Sequence, residues 1–233
     1  MTIRDQKKAA AEEALKFVED GMKLGLGTGS TAEFFVEALG KKVADGLKVE
    51  CVATSSATHR QAESLDIPMI DLNEYPILDL TVDGADELDQ ELRLIKGGGG
   101  ALLREKIVAT SSKNVIIIAE EAKRVDVLGK FPLPVEIVKF GARATAFMVG
   151  NVGEWAGVEG KIDLRKDDAE NPFITDNGNY IIDCHFGAIP DPEKLIAGLT
   201  SIAGVVEHGL FVGIARKAIL GTPFGPITID AKS

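Results

Sequence analysis

The sequence predicts an α/β protein, with a first domain built on a parallel sheet and a second, smaller α+β domain. Short apolar runs alternate with helical segments through the first half of the chain, which is typical of βα units that feed a parallel sheet. After residue 128, glycines and prolines interrupt this rhythm. We therefore predict a first domain over residues 1–128 plus 205–233 and a second over 129–204.

The elements of the first domain follow from hydrophobic periodicity. Residues 4–20 place their apolar side chains on one helical face, and Gly21 ends that helix. The later apolar runs have the length of strands, and the segments between them carry helix formers. In order, we predict strand 22–26, a helix from Ser30, strand 49–53, helix 57–65, strand 78–82, helix 101–111 and strand 115–119.

In the second domain, turn and capping residues supply the clearest signals. We predict a strand at 135–140, a helix from Ala142, and a two-residue turn at Asn177-Gly178 between strands 173–175 and 180–182. Asp191 followed by proline predicts a capped helix start. The apolar runs 211–215 and 218–220 are compatible with strands that return to the first domain.

Charge and composition exclude several functions. The 26 basic and 36 acidic residues give a formal net charge of −10, which disfavours nucleic acid and anionic membranes as partners. No apolar run approaches the length that spans a bilayer. Cys51 and Cys184 form no CxxC pair and are expected to be buried thiols, not metal ligands. Because no export signal is visible, we expect a cytoplasmic protein.

The segment from Gly25 to Thr31, Gly-Leu-Gly-Thr-Gly-Ser-Thr, joins a predicted strand to a helix. Its glycines allow a sharp turn, and the helix N-terminus with nearby hydroxyls forms a cradle for phosphate. An ordinary capped turn is the alternative. A dinucleotide fingerprint is disfavoured, because the second strand runs into Thr54-Ser55-Ser56 where an acid is required for ribose.

Two further motifs carry chemistry. Asp83 and Asp86 follow a predicted strand, where carboxylates of an open α/β sheet face ligands, although a solvated acidic loop is the alternative. A calcium loop is disfavoured, because its twelfth position is Leu94. Lys96 precedes four glycines whose amides are suited to stabilise an oxyanion. Glu105, one turn into the next helix, is a candidate general base.

Together these motifs, with Lys-Phe-Pro-Leu-Pro-Val-Glu at 130–136, resemble the type A ribose-5-phosphate isomerases in order, spacing and residue type. The resemblance runs nearly end to end. It implies a Rossmann-like domain with a small α+β domain, and a cofactor-free homodimer in which 129–204 supplies the oligomer contact. It also implies a sugar phosphate as the small-molecule substrate.

The resemblance assigns roles residue by residue. The catalytic set falls on Asp83, Asp86, Lys96 and Glu105, and we expect the Lys96 turn and Glu105 to converge on one sugar. The implied substrate and phosphate contacts are Lys7, Thr28, Gly29, Ser30, Thr31, Gly97, Gly98, Gly99 and Lys123. The alternatives are a sugar-phosphate sensor, which would need a DNA-binding segment, and an amino-sugar phosphate deaminase or acyl-CoA transferase, which would need a different constellation.

Overall fold

The computed structural model describes residues 1–231 and divides the chain into two compact units. The first unit contains Met1–Ala85, Arg104–Lys123 and the segment from Gly213 onward. The second contains Asp86–Leu103 and Arg124–Val212. The predicted fold class, a parallel-sheet domain with a second α+β domain, is confirmed.

The first unit is built on a six-stranded sheet in the order β13-β12-β6-β3-β1-β2. All pairings are parallel except that of β12 with β13. The strands predicted at 22–26, 49–53, 78–82, 115–119 and 218–220 are present, with bounds shifted by a few residues. The run 211–215 is not a strand of this unit, because Leu210–Phe211 pair with β5 (Leu94–Ile95) in a sheet of the second unit. The strands are β1 (Lys23–Leu26), β2 (Glu50–Ala53), β3 (Leu78–Gly84), β6 (Ser112–Glu120), β12 (Lys217–Thr222) and β13 (Gly225–Asp230).

Successive residues of a strand point to opposite faces of the sheet. Because apolar residues occur on both faces, helices pack against it. Leu24 and Leu26 of β1 join the core formed with the first two helices. The intervening Gly25 faces the other way, where a Cβ would lie 2.5 Å from Cγ1 of Val108 on the fourth helix. Glycine thus permits that close approach. The helices are α1 (Ile3–Ala14), α2 (Ala32–Ala44), α3 (Ser56–Ser64) and α4 (Leu102–Thr110), with 3-10 turns at Leu15–Phe17 and Glu121–Lys123.

The second unit contains two antiparallel sheets and two helices. A four-stranded sheet has the order β10-β7-β9-β8, and a three-stranded sheet has the order β11-β5-β4. Asp191 caps the last helix by accepting from the backbone N–H of Lys194 at 2.9 Å, as predicted. The elements are β4 (Glu87–Leu88), β5 (Leu94–Ile95), β7 (Leu133–Ile137), α5 (Ala142–Ala156), β8 (Lys161–Leu164), β9 (Tyr180–His185), α6 (Pro192–Leu199), β10 (Val205–His208) and β11 (Leu210–Phe211).

The observed division of the chain differs from the predicted boundaries at 128 and 205. Residues 86–103 group with the second unit, because β4 and β5 form a sheet with β11. The predicted strand at 173–175 is wrong: β9 pairs with β8, and the Asn177-Gly178 turn closes through a Thr175 to Asn179 backbone bond of 3.0 Å.

Cys51 and Cys184 are free and buried. Burial raises the pKa of the Cys51 thiol to about 12, and it also raises the pKa of Cys184. Neither thiol is therefore a reactive nucleophile near neutral pH. Among residues 1–231, no helix is both long enough and apolar enough to cross a membrane.

Candidate active site

The loop between β1 and α2 is held by a network of threonine hydroxyls. Thr54 donates to the carbonyl of Leu26 at 3.1 Å, and Thr58 donates to the carbonyl of Gly27 at 3.0 Å. A hydroxyl carries one hydrogen, so Thr28 is the donor in its 2.7 Å contact with Thr54. The oxygen of Thr28 can accept from a ligand, but its hydrogen is used internally. The contact between the Thr28 hydroxyl and phosphate stays a prediction, and donation to phosphate would require this hydroxyl to turn away from Thr54.

Lys7 of α1 contacts the same loop at Ser30 and places a cation beside it. The Nζ atom of Lys7 donates to Oγ of Ser30 at 2.8 Å and lies 3.9 Å from Oε1 of Glu120. Ser30 therefore accepts from Lys7 and keeps its own hydrogen for another acceptor. Glu120, at the end of β6, was not identified from the sequence, because nothing in its local pattern indicates a distant lysine.

A cavity of about 720 Å³ opens over this loop within the first unit. Four predicted phosphate contacts line it, namely Lys7, Thr28, Gly29 and Ser30, together with Arg4, Phe34 and other residues. Gly29 has a φ of +109°, a left-handed conformation that favours glycine. Thr31 and Lys123 are not among the lining residues: Thr31 is 7% exposed, and Lys123 is half-buried on the 3-10 turn after β6.

Asp83 is hydrogen-bonded directly to the loop between β1 and α2. Its Oδ1 accepts from the backbone N–H of Thr28 at 3.0 Å and from that of Gly84 at 2.7 Å. The residue is 1% exposed at the end of β3. A Cβ at Gly27 would lie 2.1 Å from Oδ1 of Asp83, so only glycine permits this approach. The predicted carboxylate and the predicted anion cradle therefore form one connected structure.

Glu105, the candidate base, lies in the first turn of α4 and is 4% exposed. Its place in the first helical turn agrees with the position predicted from the sequence. Burial of a carboxylate is a common feature of general bases, because a partly desolvated carboxylate holds a proton more readily.

In the second unit, Asp86 and Lys96 both contact glycine backbone. Oδ2 of Asp86 accepts from the N–H of Gly98 at 2.7 Å. Lys96 is 2% exposed, with Nζ 5.5 Å from the centre of the Phe211 ring, and its backbone N–H donates to the carbonyl of Gly209 at 2.8 Å. Gly209 was not identified from the sequence.

The glycine turn after Lys96 begins with one buried glycine and continues with two exposed ones. Gly97 has a φ of +100° and is buried, whereas Gly98 and Gly99 are exposed. A Cβ at Gly97 would lie 2.8 Å from that of Leu102, so this glycine also meets a steric demand. The carbonyls of Gly97 and Gly98 both accept from Arg165, a residue that no sequence motif indicated.

Within residues 1–231, no group of three or more His, Cys, Asp or Glu side chains is arranged to hold a metal ion. A parallel sheet with a glycine-rich loop after β1 and a buried carboxylate at the end of β3 defines a class: α/β proteins with a ligand site at the carboxyl ends of their strands.

Comparison with known proteins identifies the family within that class. The profile of the ribose 5-phosphate isomerase A (phosphoriboisomerase A) family matches residues 50–225. The chain is 57% identical over 231 residues to ribose-5-phosphate isomerase A of Parvibaculum lavamentivorans, covering 99% of this chain and 100% of that protein. This chain belongs to the ribose 5-phosphate isomerase A family.

Solved structures agree with this membership. One D-ribose-5-phosphate isomerase, in complex with phospho-erythronic acid, superposes with a TM-score of 0.92 at 40% identity, covering 99% of this chain and 100% of that one. The Methanocaldococcus jannaschii enzyme gives a TM-score of 0.91 at 39% identity, covering 98% and 100%.

Proposed function

We propose that this chain is a ribose-5-phosphate isomerase that interconverts ribose 5-phosphate and ribulose 5-phosphate without a cofactor. The observation that carries the proposal is the bond between Oδ1 of Asp83 and the Thr28 amide, which joins a buried carboxylate to a phosphate-binding loop. Family membership supports the choice of substrate. The related enzyme bound to phospho-erythronic acid supports an acyclic sugar-acid phosphate as a ligand of this site.

In the proposed reaction, the phosphate is anchored first. Lys7, Ser30 and the backbone amides around Gly29 hold its oxygens, and Thr31 and Lys123 remain proposed contacts. The phosphate does not react, but its binding energy positions the sugar carbons for proton transfer.

The isomerisation then moves protons within the sugar phosphate and leaves its atomic composition unchanged. Asp83 and Asp86 assist ring opening by exchanging hydroxyl protons. Glu105 removes the proton from C2, the C–H electron pair forms the C1–C2 double bond, and the carbonyl pair moves to O1. The O2 proton is transferred to O1, which becomes the C1 hydroxyl. The C2 carbonyl forms as the C1–C2 double-bond electrons take up the proton that Glu105 returns to C1, and the ketose is complete.

Lys96 and the amides of Gly97 and Gly99 stabilise the negative charge that develops on oxygen, and the Gly98 amide, which donates to Oδ2 of Asp86, positions that carboxylate beside the substrate. A preorganised donor at such a position typically contributes ~3 kcal/mol to transition-state stabilisation. Lys96 suits this role because a cation that is 2% exposed interacts strongly with a nearby oxyanion.

The test is isomerisation of ribose 5-phosphate by the purified chain in EDTA with no nucleotide added. Glu105→Gln keeps the size of the side chain but removes the base, and we expect kcat to fall about 10²- to 10⁴-fold. Glu121→Gln is the matched control, because Glu121 is exposed on a 3-10 turn of the same unit. An inactive wild type would reject the isomerase assignment, and an active Glu105→Gln variant would remove Glu105 from the role of base.

The chain is further proposed to form a homodimer through the second unit. Phe140, Phe147 and Trp155, in and beside α5, are 94%, 71% and 58% exposed. Exposed aromatic side chains that recur along one helix and the turn before it favour that segment as a contact surface. Sedimentation should give a dimer that Phe147→Glu weakens and that Glu154→Gln, on the same helix, leaves intact. A monomeric wild type would contradict this proposal.

A cytoplasmic location is also proposed. The free, buried thiols of Cys51 and Cys184 are consistent with a reducing compartment. Fractionation of the host cells should recover the activity with cytoplasmic markers, and recovery with exported proteins would contradict the proposal.

A further inference from the structure

Arg165 contacts the glycine turn from the side of β8 and β9. Its Nη1 donates to the carbonyls of Gly97 at 2.8 Å and Gly98 at 3.1 Å. Its Nε and Nη2 donate to the two oxygens of Asp183 on β9, at 2.9 and 2.5 Å. The Arg165 side chain is 13% exposed. One guanidinium therefore joins a carboxylate of the four-stranded sheet to two successive carbonyls of the turn.

Peptide geometry gives these contacts a directional consequence. In a trans peptide the C=O of one residue and the N–H of the next point in opposite directions. The carbonyl of Gly97 faces Arg165, and the N–H of Gly98 faces Asp86 on the other side, at 2.7 Å. By the same rule, the bond from Arg165 to the carbonyl of Gly98 directs the N–H of Gly99 away from Arg165.

The aromatic ring of Phe173 packs against the other end of the turn, at Gly100. Gly100 has a φ of +80°, and a Cβ there would lie 2.4 Å from Cζ of Phe173. The same ring lies 6.0 Å from the Arg165 guanidinium carbon, within cation–π range. The turn is thus held by the guanidinium on its carbonyls and by an aromatic ring at its last glycine.

We propose that Arg165 is a positioning residue for the isomerisation, which fixes the glycine turn so that the Gly98 amide holds Asp86 and the Gly99 amide faces the reacting oxygens. The inference rests on the proposed function. A cation on the carbonyl side also polarises these peptides, which strengthens their N–H groups as donors. Lysine cannot replace it, because a single ammonium cannot present the planar fork that serves two carbonyls and two carboxylate oxygens.

The experiment compares Arg165→Lys and Arg165→Ala with Arg143→Ala, an exposed arginine on α5 of the same unit. For Arg165→Lys we expect kcat to fall ~10- to 100-fold, the loss expected for a misplaced group. KM and the inhibition constant of inorganic phosphate should change less than about threefold, because ground-state phosphate binding is not involved. Methylguanidine should restore part of the kcat of Arg165→Ala, and Arg143→Ala should match wild type.

A second readout separates this inference from the isomerase assignment. Amide hydrogen exchange at Gly98 and Gly99 should be faster in both Arg165 variants, even if the wild type proves inactive on ribose 5-phosphate. Wild-type exchange rates in the variants would overturn the inference, as would an unchanged kcat in Arg165→Lys. A kcat that falls only in proportion to lost folded protein, with no response to methylguanidine, would also overturn it.

Discussion

Replacing Gly209 by alanine is expected to displace the backbone that carries Lys96. The N–H of Gly209 donates to the carbonyl of Pro134 at 2.7 Å, and its carbonyl accepts from the N–H of Lys96 at 2.8 Å. A Cβ at this position would lie 2.3 Å from the carbonyl oxygen of Lys96 and 2.8 Å from Cδ of Pro134. Neither neighbour is the end of a flexible side chain, so the backbone itself must move.

The expected cost combines two effects. Overpacking of a tight site costs ~1–3 kcal/mol, and weakening two backbone hydrogen bonds adds about 1 kcal/mol. A total of roughly 2–4 kcal/mol should lower the melting temperature by about 5–15 °C for a chain of this size. A shift of Lys96 by about an ångström should also lower kcat by up to ~100-fold.

Thermal melting followed by circular dichroism, with the isomerase assay, measures both effects. Gly150→Ala is the matched control: Gly150 lies within α5, and its added Cβ would meet only Cδ1 of Ile162, at an ordinary 3.7 Å. Alanine should stabilise that helix by up to ~1 kcal/mol. Wild-type melting and kcat in Gly209→Ala would refute the reasoning that the Lys96 backbone has no room to move.

Three further predictions concern the loop, the thiols and a helix cap. Thr54→Val removes the acceptor for the Thr28 hydroxyl, so KM should rise about fivefold, equivalent to ~1 kcal/mol, while kcat changes less. An unchanged KM would show that the threonine network does not contribute to substrate binding. Burial raises the pKa of both Cys51 and Cys184, so iodoacetamide at pH 8 should modify neither thiol in the folded protein and both in urea. Intact-mass spectrometry measures the labelling, and rapid labelling of the native protein would contradict this prediction. Asp191→Ala should cost ~1 kcal/mol in urea denaturation through loss of the α6 cap, and an unchanged midpoint would show that the cap is not stabilising.

Local patterns in the sequence predicted most of the first unit. Apolar runs at 49–53, 78–82 and 115–119 each correspond to a parallel strand, because a strand buried on both faces reads as a continuous apolar segment. The strand β13 was not predicted, since most of its residues are exposed and it contains Pro226. The strand predicted at 173–175 failed because Phe173 contacts Arg165 and Ile174 is exposed, while β9 pairs with β8 instead.

The loop residues of the candidate site were predicted better than the distant residues that contact and hold them. The Gly-rich segments, and the acidic residues at and just beyond the end of β3, are contiguous in sequence, so spacing alone indicated them. Their partners are distant: Arg165 lies 67 and 68 positions from the two carbonyls it binds, and Glu120 is far from Lys7. Periodicity carries no information about such pairs, because tertiary packing decides which side chains meet.

The position of β12 beside β6 has a consequence for how the protein is made. The helix α1, which carries Lys7, packs against β12, and a Cβ at Gly221 would lie 1.9 Å from the carbonyl oxygen of Gln6. On the ribosome, α1 emerges early and β12 only after nearly every other element of the first unit. The helix that carries Lys7 can therefore pack against α2 and β6 before β12 is made, but it gains its complete packing surface only when β12 has been added. A nascent chain paused before β12 should expose the part of α1 that β12 covers, and phosphate affinity should arise late in synthesis.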